Sequence, residues 1–246
     1  FAAALVLAFA AVSVYAMAGG KFVQNGAPDK EFTAVAKIMG PEGEVIGSST
    51  IVSFADGSKY EKGSDGDFAI LHLPSKLSIE FSAVAKMYVE VPMSKRNVAR
   101  NGRKPDSCEL AFAASVTPVC TPAGTKFGLP VTKVEYPRVS GGGELTYYAV
   151  HDLNWFVIQK VDGETGRVVM EIEDIDYTTP VSRQLFTVPA GFAKAGNLLE
   201  LEEAVAKAKG LTLDPAKKKQ LTDRWNNVIQ IAAAEGDTRF AGARIQ

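Results

Sequence analysis

The sequence predicts an α+β protein in which an antiparallel β-sheet follows an N-terminal hydrophobic helix and precedes two C-terminal helices. Three observations support this prediction. Residues 1–20 carry no charge, short β-like segments separated by Gly, Pro and Asp then recur as far as about residue 190, and two stretches with helical spacing of apolar residues follow. We therefore divide the chain into a hydrophobic segment 1–20, a β domain 21–195 and a helical extension 196–246.

The opening segment, FAAALVLAFAAVSVYAMAGG, is long enough for a membrane helix, because 18 helical residues span about 27 Å. It ends in Ala16-Met17-Ala18, the small-residue pattern of a signal-peptidase site. This pattern indicates an exported protein, periplasmic or at the cell surface, with the segment either removed or kept as a membrane anchor. The predicted contacts with a membrane or a larger assembly are Phe1, Leu5, Leu7, Phe9, Val12 and Tyr15.

A second interpretation of the same segment remains open. It resembles type IV pilins, which begin with Phe and a hydrophobic helix that packs in the core of a fibre. Leu5 stands where bacterial pilins usually carry Glu, and Gly19-Gly20 ends the helix early. The resemblance implies a subunit of an extracellular filament as the alternative function.

The middle of the chain has the pattern of β-strands joined by tight turns. In EFTAVAKIMG, one face of a strand is formed by Phe32, Ala34, Ala36 and Ile38. Asp56-Gly57 and Asp65-Gly66 are strong hairpin signals, since both turn positions accept a positive φ. The segment SKRNVARNGRKPD is predicted to be a solvated loop, although its cations could contact an anionic partner or lipid headgroups. Those cations are Lys95, Arg96, Arg100, Arg103 and Lys104.

Two helices are predicted near the C-terminus. The first has an apolar stripe of Leu198, Leu201, Val205 and Ala208 and ends at Gly210. The second begins with Asp214 as N-cap and Pro215 in the first turn, and its stripe consists of Leu221, Trp225, Val228 and Ala232. We expect the tail GDTRFAGARIQ to be loosely ordered.

The two cysteines, Cys108 and Cys120, are close in sequence and even in number, which favours one local disulfide in an exported protein over two free thiols. The apolar segment between them is predicted to form two strand pieces or a strand and a turn. In the chain-entropy model, a loop of this size gains about 3 kcal/mol from the bridge.

One stretch resembles a known family. Between Tyr147 and Ala195, a tryptophan strand is followed by a hairpin, an acidic-hydrophobic strand and the closing sequence LFTVPAGF; the earlier MYVEVPMS adds to the likeness. Residues 31–195 thereby resemble exported bacterial proteins with the LolA/LolB-like lipoprotein-localisation fold. This resemblance implies a strongly curved antiparallel half-barrel around an apolar hollow, and an acylated lipoprotein or a lipid as partner.

An apolar face of such a sheet either surrounds a ligand's acyl chains or packs as an ordinary protein core. Both interpretations remain open for the candidate lining residues, which are Phe32, Ile51, Phe68, Phe81, Trp155 and Phe186.

Enzymatic chemistry is not predicted. His151 lies beside Asp152, but a Ser or Cys in a nucleophile-elbow context does not accompany them. Two His and two Cys are a poor supply of ligands for zinc or haem, so we expect no cofactor and no metal. A net charge of −1 gives no general attraction to nucleic acid. We therefore expect a non-enzymatic exported protein that acts as a structural or accessory subunit or binds an apolar ligand.

Overall fold

The structure is a computed structural model that describes residues 27–112, 117–136 and 145–245. The predicted hydrophobic helix lies outside the described residues. So do the assembly positions predicted within it, Phe1, Leu5, Leu7, Phe9, Val12 and Tyr15.

Within the described residues, six strands precede the first helix and two long helices follow the last strand, the segregated order of an α+β protein. The sheets are built mainly from antiparallel pairs, as predicted. The strands are β1 Phe32–Met39, β2 Val45–Ser53, β3 Lys59–Gly63, β4 Phe68–His72, β5 Leu77–Ser82, β6 Met87–Pro92, β7 Val119–Lys126, β8 Leu129–Glu135, β9 Leu145–Val150, β10 Phe156–Asp162, β11 Val168–Asp176 and β12 Ala193–Lys194. The α-helices are α1 Lys95–Gly102, α2 Cys108–Ala111, α3 Leu198–Ala208 and α4 Pro215–Ala234, and two short 3-10 helices span His151–Leu153 and Arg183–Phe186.

The chain forms two compact units, each assembled from two separate stretches. Unit 1 contains the chain up to Gly57 together with Asn101–Val181, and unit 2 contains Ser58–Arg100 and the chain from Ser182 onwards. The domain boundaries at residues 20 and 195 stay a prediction from the sequence.

Unit 1 is an antiparallel sheet with the strand order β2-β1-β11-β10-β9-β8-β7. The predicted face of β1 is confirmed, because Phe32, Ala34 and Ala36 are buried. Ile38 is only half-buried and lies beyond a bulge at Val35/Ala36 in the pairing with β11. The ring of Phe32 packs on that of Phe156 at 4.7 Å, which joins β1 to the core contributed by β10.

The predicted disulfide is confirmed: Cys108 and Cys120 are bonded, with 6.3 Å between their Cα atoms. Its setting differs from the prediction, because Cys108 begins helix α2 rather than a strand piece. Ser107 caps this helix by accepting a hydrogen bond from the Leu110 amide at 3.3 Å, a local signal that favours a helix start.

A buried corner before β10 fastens distant segments of unit 1. Asn154 and Trp155 have φ values of 54° and 61°, a left-handed conformation that is uncommon outside glycine. The Asn154 side-chain amide donates to the carbonyls of Ala27 at 2.8 Å and Arg103 at 3.1 Å. The Trp155 indole donates to the carbonyl of Pro105 at 3.1 Å. These three hydrogen bonds offset the energetic cost of the left-handed backbone conformations at Asn154 and Trp155.

Replacing Asn154 by glycine tests these side-chain bonds separately from the backbone strain. Glycine adopts the positive φ freely. Any fall in the free energy of unfolding of Asn154→Gly therefore comes from the carbonyls of Ala27 and Arg103, which lose their hydrogen-bond donor. We expect the free energy of unfolding in urea to fall by about 1–3 kcal/mol. The matched control is Lys76→Gly, an exposed position with φ 55°, which we expect to be neutral or stabilising. Equal effects of the two variants would contradict the assignment.

Unit 2 is a sheet with the strand order β12-β6-β5-β4-β3, in which β12 pairs parallel to β6 and the other pairs are antiparallel. The predicted turn at Asp65-Gly66 joins β3 to β4. Gly66 has φ +87°, and a Cβ placed there would lie 3.2 Å from the Cβ of Ala83. Both the conformation and the space therefore favour glycine at this position.

One face of the unit 2 sheet is covered by the two predicted C-terminal helices. Asp214 caps α4 by accepting from the Ala216 amide at 2.7 Å, with Pro215 in the first turn as predicted. The buried stripe of α4 consists of Leu221, Trp225, Ile229 and Ala232, so Ile229 takes the place predicted for Val228. The helices pack with Val89 and Val91 of β6 into one cluster.

The tail after α4 is packed, contrary to the prediction of loose order. The Trp225 indole donates to the carbonyl of Ala243 at 2.6 Å, and Asn226 bonds both backbone groups of Ile245. Phe240 lies edge-on to Trp225 at 6.4 Å. Polar groups on α4 thus hold a segment whose composition alone gave no sign of order.

Candidate functional site

Three aromatic side chains lie side by side on the second face of the unit 2 sheet. The strand register places Phe68 of β4 opposite Phe81 of β5, and Phe81 opposite Tyr88 of β6. The rings of Phe68 and Phe81 stack at 4.0 Å, and those of Phe81 and Tyr88 lie 5.3 Å apart. We call Phe68, Phe81 and Tyr88 the aromatic surface. Cross-strand pairing of this kind stabilises the sheet and also concentrates apolar area on one face.

Residues 183–192, here called the covering segment, lie over this surface. The ring of Phe192 stands edge-on to Phe68 at 5.7 Å and to Phe81 at 5.6 Å. The ring of Phe186 lies 4.9 Å from that of His72 at the end of β4. Residues 187–191 between these two rings are exposed. The covering segment is therefore fixed by rings near its ends, while its middle is in solvent.

A pocket of about 440 Å³ lies beside β12, lined also by residues of β5, β6 and the tail after α4. This volume is within the range of small-molecule sites. Its apolar wall contains Leu77, Ala195, Phe240 and Ala243, and Gly196 completes the backbone side. Leu77 also packs against the cluster of Phe68, Ile70, Ile79 and Phe81, so the pocket adjoins the cluster that contains two rings of the aromatic surface.

Three charged side chains line the pocket: Glu90, Lys194 and Arg239. The Lys194 ammonium lies 2.6 Å from the Glu90 carboxylate. Arg239 donates to Asp237 through Nε at 2.9 Å and Nη2 at 2.6 Å, and through Nη1 to the carbonyl of Ser75 at 2.7 Å. The hydrogen bonds from Arg239 lower the pKa of Asp237, and Asp237 in turn raises the pKa of Arg239. The guanidinium is thus held in one position at the pocket wall.

The opposite face of the same sheet carries a more buried ion pair. Arg224 of α4 lies 3.2 Å from Glu80 of β5, whose side chain is 13% exposed. Burial raises the pKa of Glu80 despite this partner, and burial also raises the pKa of Glu202 on α3. These carboxylates belong to the packing between helices and sheet rather than to the pocket.

The predicted cavity-lining residues fall into two groups. Phe32, Ile51 and Trp155 belong to the core of unit 1, whereas Phe68, Phe81 and Phe186 belong to one aromatic cluster in unit 2. Whether any of the six lines a ligand cavity stays a prediction. Sequence reasoning missed Tyr88 and Phe192, which depend on register and on the path of the covering segment, and the charged pocket residues. Phe192 was nevertheless part of the LFTVPAGF motif.

The prediction of a solvated loop for the basic segment is wrong, because Lys95, Arg96 and Arg100 lie on helix α1. Ser94 supports the helix start by accepting from the Asn97 amide at 3.2 Å, and Glu235 accepts from the Lys95 amide at 2.6 Å.

The other two basic residues already have structural partners. Arg103 donates to the carbonyls of Leu110 and Ala111 at the end of α2, and Lys104 pairs with Asp29 at 2.5 Å. Contact of the five cations with an anionic partner stays a prediction.

The remaining titratable candidate is exposed. His151 Nδ1 lies 3.2 Å from Asp152, with both side chains more than half exposed, and its ring stands edge-on to Trp155 at 4.9 Å. Across residues 27–112, 117–136 and 145–245, His, Cys, Asp and Glu side chains do not gather into a group of three that could hold a metal ion. In that same part of the chain, none of the helices combines the length and apolar character needed to cross a membrane.

Comparison with known proteins gives likenesses of fold only. No family model matches the chain, and no curated protein matches it. The solved structures similar to it include MucB, at 12% identity and a TM-score of 0.40, with 69% of this chain and 61% of MucB covered. They also include a LolA-superfamily protein from Nitrosomonas europaea, at 10% identity and a TM-score of 0.31, with 69% of this chain and 95% of that one covered.

The chain therefore spans about three fifths of MucB (61%). A LolA-superfamily structure is among the proteins to which the chain is similar.

Replacing Glu80 by Gln tests the buried pair through its pH dependence. Because burial raises the pKa of Glu80 above its ordinary value of 4.5, this carboxyl stabilises the fold most below pH 4.5. That contribution is lost as the pH rises through the folded pKa. Between about pH 4 and about pH 7, we expect the free energy of unfolding in urea to fall further for the native protein than for Glu80→Gln. Parallel profiles for the two proteins would contradict this.

Proposed function

We propose that this protein is a non-enzymatic exported binding protein that holds an apolar chain, such as the acyl chain of a lipid or lipoprotein, on the aromatic surface of unit 2. One observation carries the proposal: a continuous row of Phe68, Phe81 and Tyr88 lies under a segment whose middle is in solvent. A packed core is normally covered by elements that bury their own apolar face. The covering segment instead contacts the sheet through the rings of Phe186 and Phe192.

The energies of covering and binding are comparable. Fully burying one Phe ring is worth about 1.5–3 kcal/mol, and both rings are only partly buried, so lifting them off the sheet costs at most about 3–6 kcal/mol. A bound alkyl chain gains about 0.8 kcal/mol for each buried methylene, and about four to eight methylenes therefore offset that cost. The proposal accordingly favours long alkyl chains over short ones.

The covering segment is also well placed to move. It begins after Ser182 and is tied to β6 at its far end, where the amide of Ala193 donates to Lys86 and that of Ala195 donates to Tyr88. Gly191, with φ +86°, lies next to Phe192 and allows a change of backbone direction there. Displacement of residues 183–192 would expose the aromatic surface while β12 remains paired.

Serine at positions 186 and 192 tests the proposal. In the full chain, Phe186→Ser and Phe192→Ser remove competition for the aromatic surface, so N-phenylnaphthylamine should bind at least about fivefold more tightly than to the native protein. Val188→Ser, an exposed position on the same segment, is the control and should leave binding unchanged. Dodecanol should displace the probe and butanol should not. Equal probe binding by Phe192→Ser and Val188→Ser, with native circular dichroism for both, would refute the proposal.

We further propose that residues 1–18 attach the protein to a membrane or a larger assembly. Their uncharged sequence supports this part of the proposal. Intact mass of the protein extracted from its native membranes should include residues 1–18. A mature protein that begins at Gly19 would contradict attachment and leave the binding proposal intact.

A further inference from the structure

We infer that the pocket beside β12 selects a single-chain amphiphile with an anionic phosphate or carboxylate headgroup. This inference rests on the proposed function, since it assigns the headgroup of the chain held on the aromatic surface. Leu77 lines the pocket and also packs against the cluster of Phe68, Ile70, Ile79 and Phe81, so the pocket adjoins the cluster to which two rings of that surface belong. Lys194 follows the ring of Phe192 by two residues. An alkyl chain under the covering segment therefore brings its polar end to the pocket.

The pocket wall offers hydrogen-bond donors to an anion. Lys194 and Arg239 are the cations among the lining residues and Glu90 is the acid. Asp237 neutralises Arg239 without using all of its donors, because Nη1 and Nη2 each spend one N–H on Ser75 or Asp237 and each has a second N–H. Arg239 is held by Asp237 and by the carbonyl of Ser75, so its guanidinium is in place before a ligand arrives. Such preorganisation lowers the entropic cost of binding.

Lys194 is able to exchange its partner. Its side chain is 51% exposed in the pair with Glu90, and exposed ion pairs contribute little to stability. A phosphate or carboxylate in the pocket can therefore take the ammonium from Glu90 at small cost. Glu90 also lies near enough to Arg239 to affect its electrostatics, so it acts against an incoming anion at both cations.

This arrangement gives opposite expectations for two variants that each remove one charge. Lys194→Gln removes a cation and should weaken binding of an anionic amphiphile. Glu90→Gln removes the competing carboxylate and should strengthen it. A zwitterionic or cationic headgroup would give the reverse result for Glu90→Gln, because that ligand would need the carboxylate.

The experiment measures displacement of N-phenylnaphthylamine from the full chain by dodecyl phosphate, dodecanol and inorganic phosphate, below the micelle concentration of each amphiphile. The native protein should bind dodecyl phosphate about tenfold more tightly than dodecanol. Lys194→Gln should lose most of this preference and Glu90→Gln should increase it about threefold, while affinity for dodecanol stays unchanged in both. The matched controls are Lys218→Gln and Glu203→Gln, from an exposed pair with the same 2.6 Å separation elsewhere in unit 2.

Equal affinity of the native protein for dodecyl phosphate and dodecanol would overturn the headgroup assignment and leave the proposed function standing. Failure of both amphiphiles to displace the probe would refute the proposed function itself. Displacement by inorganic phosphate as strong as that by dodecyl phosphate would also overturn the inference, because the pocket would then be a site for the free ion. Weaker binding of dodecyl phosphate by Glu90→Gln would overturn the anionic assignment.

Discussion

The cross-strand register of β4, β5 and β6 is the constraint on which the proposed site depends. It aligns Phe68, Phe81 and Tyr88 on one face and leaves Val89 and Val91 for the helices on the other. Because side chains alternate along a strand, a slip of one residue would exchange the two faces. The same register therefore builds the helix-packed core of unit 2 and the aromatic row that the covering segment lies on.

The two faces are covered in different ways, and the proposed binding depends on this difference. Helix α4 alone contributes a buried stripe that includes Leu221 and Trp225, and its polar groups also hold the chain's tail. The covering segment contributes two rings at its ends and an exposed middle. Displacing it sacrifices far less buried apolar area than displacing the helices, which is why the proposal places the ligand on that face.

Local signals in the sequence predicted much of the fold and little of the site. The alternation in β1 and the Asp214-Pro215 start of α4 are properties of a few neighbouring residues, and both are found as expected. The α1 helix was missed because its start depends partly on Glu235, far away in sequence. The six predicted lining residues divide between two units because apolarity marks burial without indicating which residues meet. Tyr88 joins the aromatic surface only through strand pairing.

Exposure distinguishes the buried Arg224–Glu80 pair, which serves packing, from the Lys194–Glu90 pair at the pocket. Glu80, 13% exposed, is buried between the sheet and α4, and removing its partner Arg224 would leave a desolvated carboxylate. Lys194 is 51% exposed and lines a pocket that already holds a fixed guanidinium. Water can solvate either member of the Lys194–Glu90 pair when it opens, so partner exchange costs little there. A ligand's charge can thus replace a protein charge at the pocket without disturbing the core.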